Sequence, residues 1–168
     1  THDSHTPIGT DGHADTGELR PQFAMHPLKL MRNIKNLIRK VNRSESLPAS
    51  ARICAGGGTK LTTGGHIHFG IQNMTPELKD ALWTFVASHV LEHQTGVRCG
   101  SSGLCNKDGG DVVRRQAWGQ EWRPLPSFII NEEITLAVLC TAYAVVKSYY
   151  VGKLPAYRGK SSYEKLPL

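Results

Sequence analysis

The chain has 168 residues, 39% hydrophobic and 20% charged, with a formal net charge of +6. That length and balance suit one domain with a buried core and exclude a disordered chain. A membrane span is excluded too: no run reaches the ~18 apolar residues required, and the longest, Ile134–Val146, is interrupted by Thr135, Cys140, Thr141 and Tyr143. The start, Thr1-His2-Asp3-Ser4-His5, is polar and resembles no secretory signal. A cytoplasmic protein is therefore expected, and the missing initiator Met points to a processed or partial chain.

In chain order, residues 7–17 are rich in turn formers: Pro7, Gly9, Asp11, Gly12, Asp15 and Gly17. A short strand is expected at Glu18-Leu19-Arg20, stopped by Pro21. A helix follows over residues 28–43, with Leu28, Met31, Ile34, Leu37, Ile38 and Val41 as its apolar stripe. Its other face carries Lys29, Arg32, Lys35, Arg39, Lys40 and Arg43. A solvated face is the plainer reading of that charge; contact with nucleic acid or another polyanion is the sharper one. No aromatic residue is interleaved to stack on bases, which favours the plainer reading.

After a Ser/Pro linker at residues 44–50, a strand start is expected at Ala51–Cys54, then a glycine-rich stretch from Gly56 to Gly65. Gly56-Gly57-Gly58-Thr59-Lys60 is not a P-loop, because Thr59 precedes Lys60 where the motif needs the reverse order. His66-Ile67-His68-Phe69-Gly70-Ile71 alternates as a strand. Thr75 then caps a helix with Pro76 at its first position and an apolar stripe of Leu78, Leu82, Trp83, Val86 and Val90. Gly96–Gly110 reads as a loop and Gln120–Arg123 as a third strand, stopped by Pro124. Asn131 caps a last helix running to about Tyr150, with Glu132 and Glu133 at its positive end, and residues 153–168 form a surface tail. Cys54, Cys99, Cys105 and Cys140 have neither zinc spacing nor a disulfide framework; all four are expected as free thiols, with Cys140 in the core. The fold class expected is α+β: a sheet with helices on one face and the other face free for a site.

Residues at i and i+2 of a strand share a face. Glu18 and Arg20 thus oppose Leu19, His66 and His68 oppose Ile67 and Phe69, and Glu121 and Arg123 oppose Trp122. The segments Glu18–Pro21 and Glu121–Pro124 are near repeats. Carboxylates and imidazoles can hold magnesium or manganese. Guanidinium forks match phosphate oxygens. A metal–nucleotide site is expected, with Gly64 and Gly65 letting backbone approach a ligand. Each pair alone could be a cross-strand salt bridge; three pairs set against apolar faces argue for a functional face.

Gly64-Gly65-His66-Ile67-His68-Phe69-Gly70 resembles the histidine motif of the carboxylate–amine ligases related to glutamine synthetase and glutamate–cysteine ligase. Gly9-Thr10-Asp11-Gly12, Gly17–Pro21 and the segment Arg114–Phe128 resemble the phage-encoded carboxylate–amine ligases of type 2, in the family's order, over roughly residues 8–146. The resemblance implies a single ligase-like domain, 1–168, with a glutamine-synthetase-like antiparallel sheet that holds ATP and a divalent metal. ATP would phosphorylate a small-molecule or peptide carboxylate, and an amine would attack the acyl phosphate. Carried over by position, Glu18, His66 and Glu121 are the implied metal ligands. Arg123, Arg20 and Arg115 are the implied contacts to phosphate or substrate; His68, Gly64 and Gly65 lie toward the nucleotide, and Asp11, His13 and Asp15 line the substrate end. The family's leading acidic strand has no counterpart in Thr1–Pro7, so the chain is expected to lack that strand. A metal-dependent hydrolase, or a binding or assembly protein that kept the fold, would be the competing functions. The substrates' identities and the oligomeric state stay open.

Overall fold

The computed structural model describes residues 7–10, 17–44, 64–92 and 112–154. The strand expected at Ala51–Cys54, the 96–110 loop, Cys54, Cys99, Cys105, the 155–168 part of the tail, and Asp11, His13 and Asp15 lie outside them.

Strand β1 (Ile8–Thr10) pairs antiparallel with β2 (Gly17–Leu19), Gly9 opposite Glu18. Helix α1 (Pro27–Asn42) follows. Pro27 fits its first turn, where an N–H would have no partner anyway, and the His26 side chain accepts a hydrogen bond from the Leu28 amide at 3.3 Å. Met31, Ile34, Leu37 and Val41 are its buried stripe. Strand β3 (Ile67–Phe69) comes next, then a helical stretch from Pro76 to Glu92. That stretch is α2 (Pro76–Leu82), one π-helical turn (Trp83–Ala87) and α3 (Ser88–Glu92). Strands β4 (Val113–Gln116) and β5 (Gly119–Trp122) form a hairpin, and α4 (Glu132–Tyr150) closes the described fold. This is a mixed α+β fold with antiparallel sheets.

There are two sheets where one was expected: β1-β2, and a three-stranded sheet in the order β3-β5-β4. Glu18 lies in β2, whose partner strand β1 the turn-rich composition of residues 7–17 concealed. In the larger sheet the central β5 sets Trp122 opposite both Ile67 and Val113. That face packs on the helices: Ile67, Trp122, Leu78, Leu82, Leu125, Val138 and Ala142 belong to one core, in which Trp122 is wholly buried. The helices are anchored to one another by polar contacts as well. The Thr75 hydroxyl caps the Leu78 amide and lies 2.8 Å from the Tyr149 hydroxyl of α4, and Lys35 of α1 meets Glu132 at 2.6 Å.

Two expectations shift in detail. Leu78, Leu82 and Val86 are buried as expected, but Trp83, which opens the π-helical turn, is only half-buried, and so is Val90, which the turn rotates off the α-helical stripe. Cys140 is half-buried rather than in the core. The buried stripe of α4 runs through Thr135, Val138, Leu139, Ala142 and Val145, and Cys140 sits beside it.

The β4–β5 turn depends on Gly119, whose φ of +152° is one that side chains rarely adopt. A Cβ there would lie 2.1 Å from the Phe69 carbonyl oxygen, so it would push β3 off β5. Gly119→Ala should therefore lower stability by about 1–3 kcal/mol from backbone strain alone. Urea unfolding measures it, and an unchanged midpoint would mean the turn relaxes freely.

Candidate functional site

The side of β5 away from the helices converges on one carboxylate. Glu121 stands opposite His68 of β3 and Arg114 of β4. It is 4% exposed, so it is no surface ion-pair partner. His66 Nδ1 approaches its Oε1 at 2.9 Å, and the Gln116 amide donates to Oε2 at 2.7 Å. Arg123, itself buried, brings Nε to 3.4 Å of Oε1, and the exposed Arg114 brings Nη1 to 3.8 Å of Oε2. Arg123 is fixed along the chain as well: its amide donates to the Val112 carbonyl at 2.9 Å, and Pro124 ends the strand behind it.

These partners decide the charge state. Burial alone would raise the Glu121 pKa, but hydrogen bonds from His66 and Gln116 and the charges of His66 and His68 outweigh it and hold the carboxyl at about 2. Glu121 is thus a fixed negative charge at neutral pH. His68 goes the other way: desolvation lowers its pKa below the ordinary 6.5, assisted by His66, while the charges of Glu121 and Glu18 oppose the shift. Although His68 is exposed by area, its ring lies against the Trp118 indole, with centroids 4.7 Å apart. The imidazole is therefore mainly neutral at pH 7, able to donate and accept.

His66, His68, Glu121 and Arg123 are brought together as the strand alternation requires. Glu18 and Arg20 form a separate half-exposed pair, Nε to Oε2 at 2.9 Å, on the small sheet. The Arg20 guanidinium lies over Gly9, where a Cβ would be 2.5 Å from Nη1. Glu18 is still near enough for His68 to feel its charge. Arg115 is placed differently: it is opposite Gln120, on the Trp122 side of the sheet, and the guanidinium facing Glu121 is Arg114. Gly64 bridges Pro126, and the Gly65 amide donates to the Leu125 carbonyl at 2.9 Å. A Cβ at Gly65 would be 2.5 Å from the Pro126 oxygen and 2.6 Å from the Phe128 ring, so the close approach that glycine allows there is to its own chain.

Sequence reasoning missed Arg114, Gln116 and Trp118, because β4 has no apolar alternation to reveal it. Once the hairpin is drawn, the register gives Arg114 directly.

The fit to a divalent metal is partial. Among the described residues no three His, Cys, Asp or Glu side chains gather closely enough to hold an ion. Glu121 and His66 are the pair of donors in reach of each other, and they are hydrogen-bonded together. A phosphate or carboxylate finds more: the guanidinium groups of Arg123 and Arg114 beside a neutral imidazole. Nor, among the described residues, is any helix long and apolar enough to cross a membrane.

No curated protein and no solved structure matches the chain. A family model does, over residues 3–162, a span that takes in both Glu-x-Arg-Pro segments and the His66/His68 strand. The chain belongs to the phage phiEco32-like COOH.NH2 ligase-type 2 family.

Proposed function

We propose that this carboxylate–amine ligase uses ATP, works through an acyl phosphate, and does so on a glutamine-synthetase-like sheet whose site is the Glu121 face. The observation that supports this reading is the cluster of buried Glu121 and Arg123 with half-buried His66, and with Arg114 and His68 at its edge. Burying an ionised carboxylate among cations is costly, and the apolar core on the other side of β5 gains nothing from it.

In the reaction, a carboxylate oxygen attacks the γ-phosphorus and ADP leaves. The amine nitrogen then attacks the acyl carbon, inorganic phosphate leaves with the C–O bond pair, and the new amide nitrogen loses a proton. Arg123 and Arg114 would bind and orient the phosphoryl oxygens and offset the charge that builds on them. Ionised Glu121 fixes the position of His66 and Arg123, and neutral His68 can hydrogen-bond the same oxygens. Magnesium or manganese, held by Glu121, His66 and a further donor such as Glu18, would neutralise the nucleotide's phosphates when bound. The carboxylate and amine would be small molecules or peptide groups, with Arg20 as a contact to substrate or phosphate.

One observation favours the alternative, a binding or assembly protein that kept the fold: the described residues lack a three-donor metal set. Hydroxylamine separates the two readings, because it traps an acyl phosphate as a hydroxamate. With magnesium-ATP and a mixed pool of amino and dicarboxylic acids, hydroxamate and ADP should appear in equal amounts. ADP release that ignores the carboxylates, or none at all, would leave the binding protein.

A further inference from the structure

The three tryptophans divide their duties unequally. Trp122 is fully buried and Trp83 half-buried, both against the core, whereas Trp118 leaves 52% of its surface to water. Indole is among the most favourable groups to bury, so one left half-exposed on a hairpin turn calls for a reason. Its place in the hairpin supplies one. Trp118 occupies the turn between β4 and β5, where Gly119, with no Cβ, lets the turn close against the Phe69 carbonyl. From there the indole lies against His68, tilted 32° between ring planes, on the same side of the sheet as Glu121. The aromatic pair therefore flanks the Arg123–Arg114–Glu121 cluster instead of joining the core.

We infer that Trp118, braced by His68, is the base-binding platform for the nucleotide, stacking a planar heterocycle whose phosphates reach toward Arg123. This rests on the ATP reading above and adds to it the element that would distinguish a nucleoside triphosphate from a bare polyphosphate. The spacing suits it. Four residues of β5 lie between Trp118 and Arg123, five rises or about 17 Å between their Cα atoms along a strand, which is of the order of an extended nucleoside triphosphate. The chemistry suits it as well: a π face accepts any base, so the platform confers preference for a nucleotide without choosing strongly among bases. A phosphate has no affinity for an indole face, and a small amino-acid carboxylate has no plane to stack. Arg114, exposed and opposite Glu121, adds a cation between the turn and Arg123.

The test compares magnesium-ATP with magnesium tripolyphosphate, by calorimetry, on the wild-type chain, Trp118→Ala and Trp118→Phe. Wild type should bind ATP more tightly than tripolyphosphate. Trp118→Ala should weaken ATP roughly ten- to a hundredfold, the usual worth of one base–aromatic stack, and leave tripolyphosphate unchanged. Trp118→Phe should recover most of the loss. Equal weakening of both ligands, or no weakening of ATP, overturns the platform while leaving the phosphate site standing. If wild type binds tripolyphosphate but ATP no better, the platform again fails alone. If it binds neither, the nucleotide reading fails and the platform with it.

Discussion

Trp122→Ala should lower the free energy of unfolding by about 3–5 kcal/mol, because the indole is wholly buried and its removal leaves a cavity. The position is central in two senses. It lies on the middle strand, opposite Ile67 and Val113, and it belongs to the core that also holds Leu78, Leu82, Val138 and Ala142. Nothing in the three-stranded sheet can slide to fill the space without breaking that register. Urea unfolding followed by far-UV circular dichroism gives the change. Trp118→Ala, four residues away and half-exposed, is the internal control and should cost far less. Losses of similar size at both positions, or under about 1 kcal/mol at Trp122, would mean that the apolar side of β5 has been assigned wrongly.

The second large effect is acid sensitivity centred on Glu121. Its folded pKa is about 2 against an ordinary 4.5. A carboxyl depressed on folding contributes stability that is fully present above 4.5 and is lost as the pH falls from there toward 2. The amount is about 3 kcal/mol at 1.36 kcal/mol per unit. His68 adds loss in the same direction, starting higher: its depressed pKa means that protonation below its ordinary 6.5 favours the unfolded chain. In the metal-free protein, unfolding midpoints should fall steeply below pH 4.5, and Glu121→Gln should flatten that part of the curve while lowering stability at pH 7. Parallel curves for the two proteins would show that the depressed carboxyl does not contribute.

Much of this was legible in the residues. Pro27 and Pro76 mark helix starts, Thr75 and Asn131 supply caps, and the period-two pattern around His66–His68 and Glu121–Arg123 sorted polar from apolar faces correctly, because one face of those strands is buried and alternation is then enforced. Other features left no signal. β4 carries Arg114, Arg115 and Gln116 in succession, and with a half-exposed edge strand there is no apolar side to read. Arg115 rests on the resemblance alone; without a partner strand, neighbouring arginines cannot be assigned to faces, and the register is what sets Arg114 opposite Glu121. The pairing of β1 with β2 was hidden by glycines, and the π-helical turn at Trp83–Ala87 has no sequence rule of its own. The burial of Glu121 and Arg123 was also invisible, since nothing in a Glu-x-Arg-Pro segment says whether water reaches it.

The central claim is that the Glu121 cluster is a phosphate site and not an internal ion pair of purely structural use. Calorimetry of ADP on the wild-type chain, Arg123→Ala and Glu121→Gln, with and without magnesium, tests it most directly. Wild type should bind ADP more tightly with magnesium than without. Arg123→Ala should lose about 1.5–3 kcal/mol of nucleotide affinity, roughly ten- to a hundredfold, and Glu121→Gln should abolish the gain from magnesium. Folded variants that bind ADP as wild type does, with magnesium making no difference to any of the three, would contradict the claim.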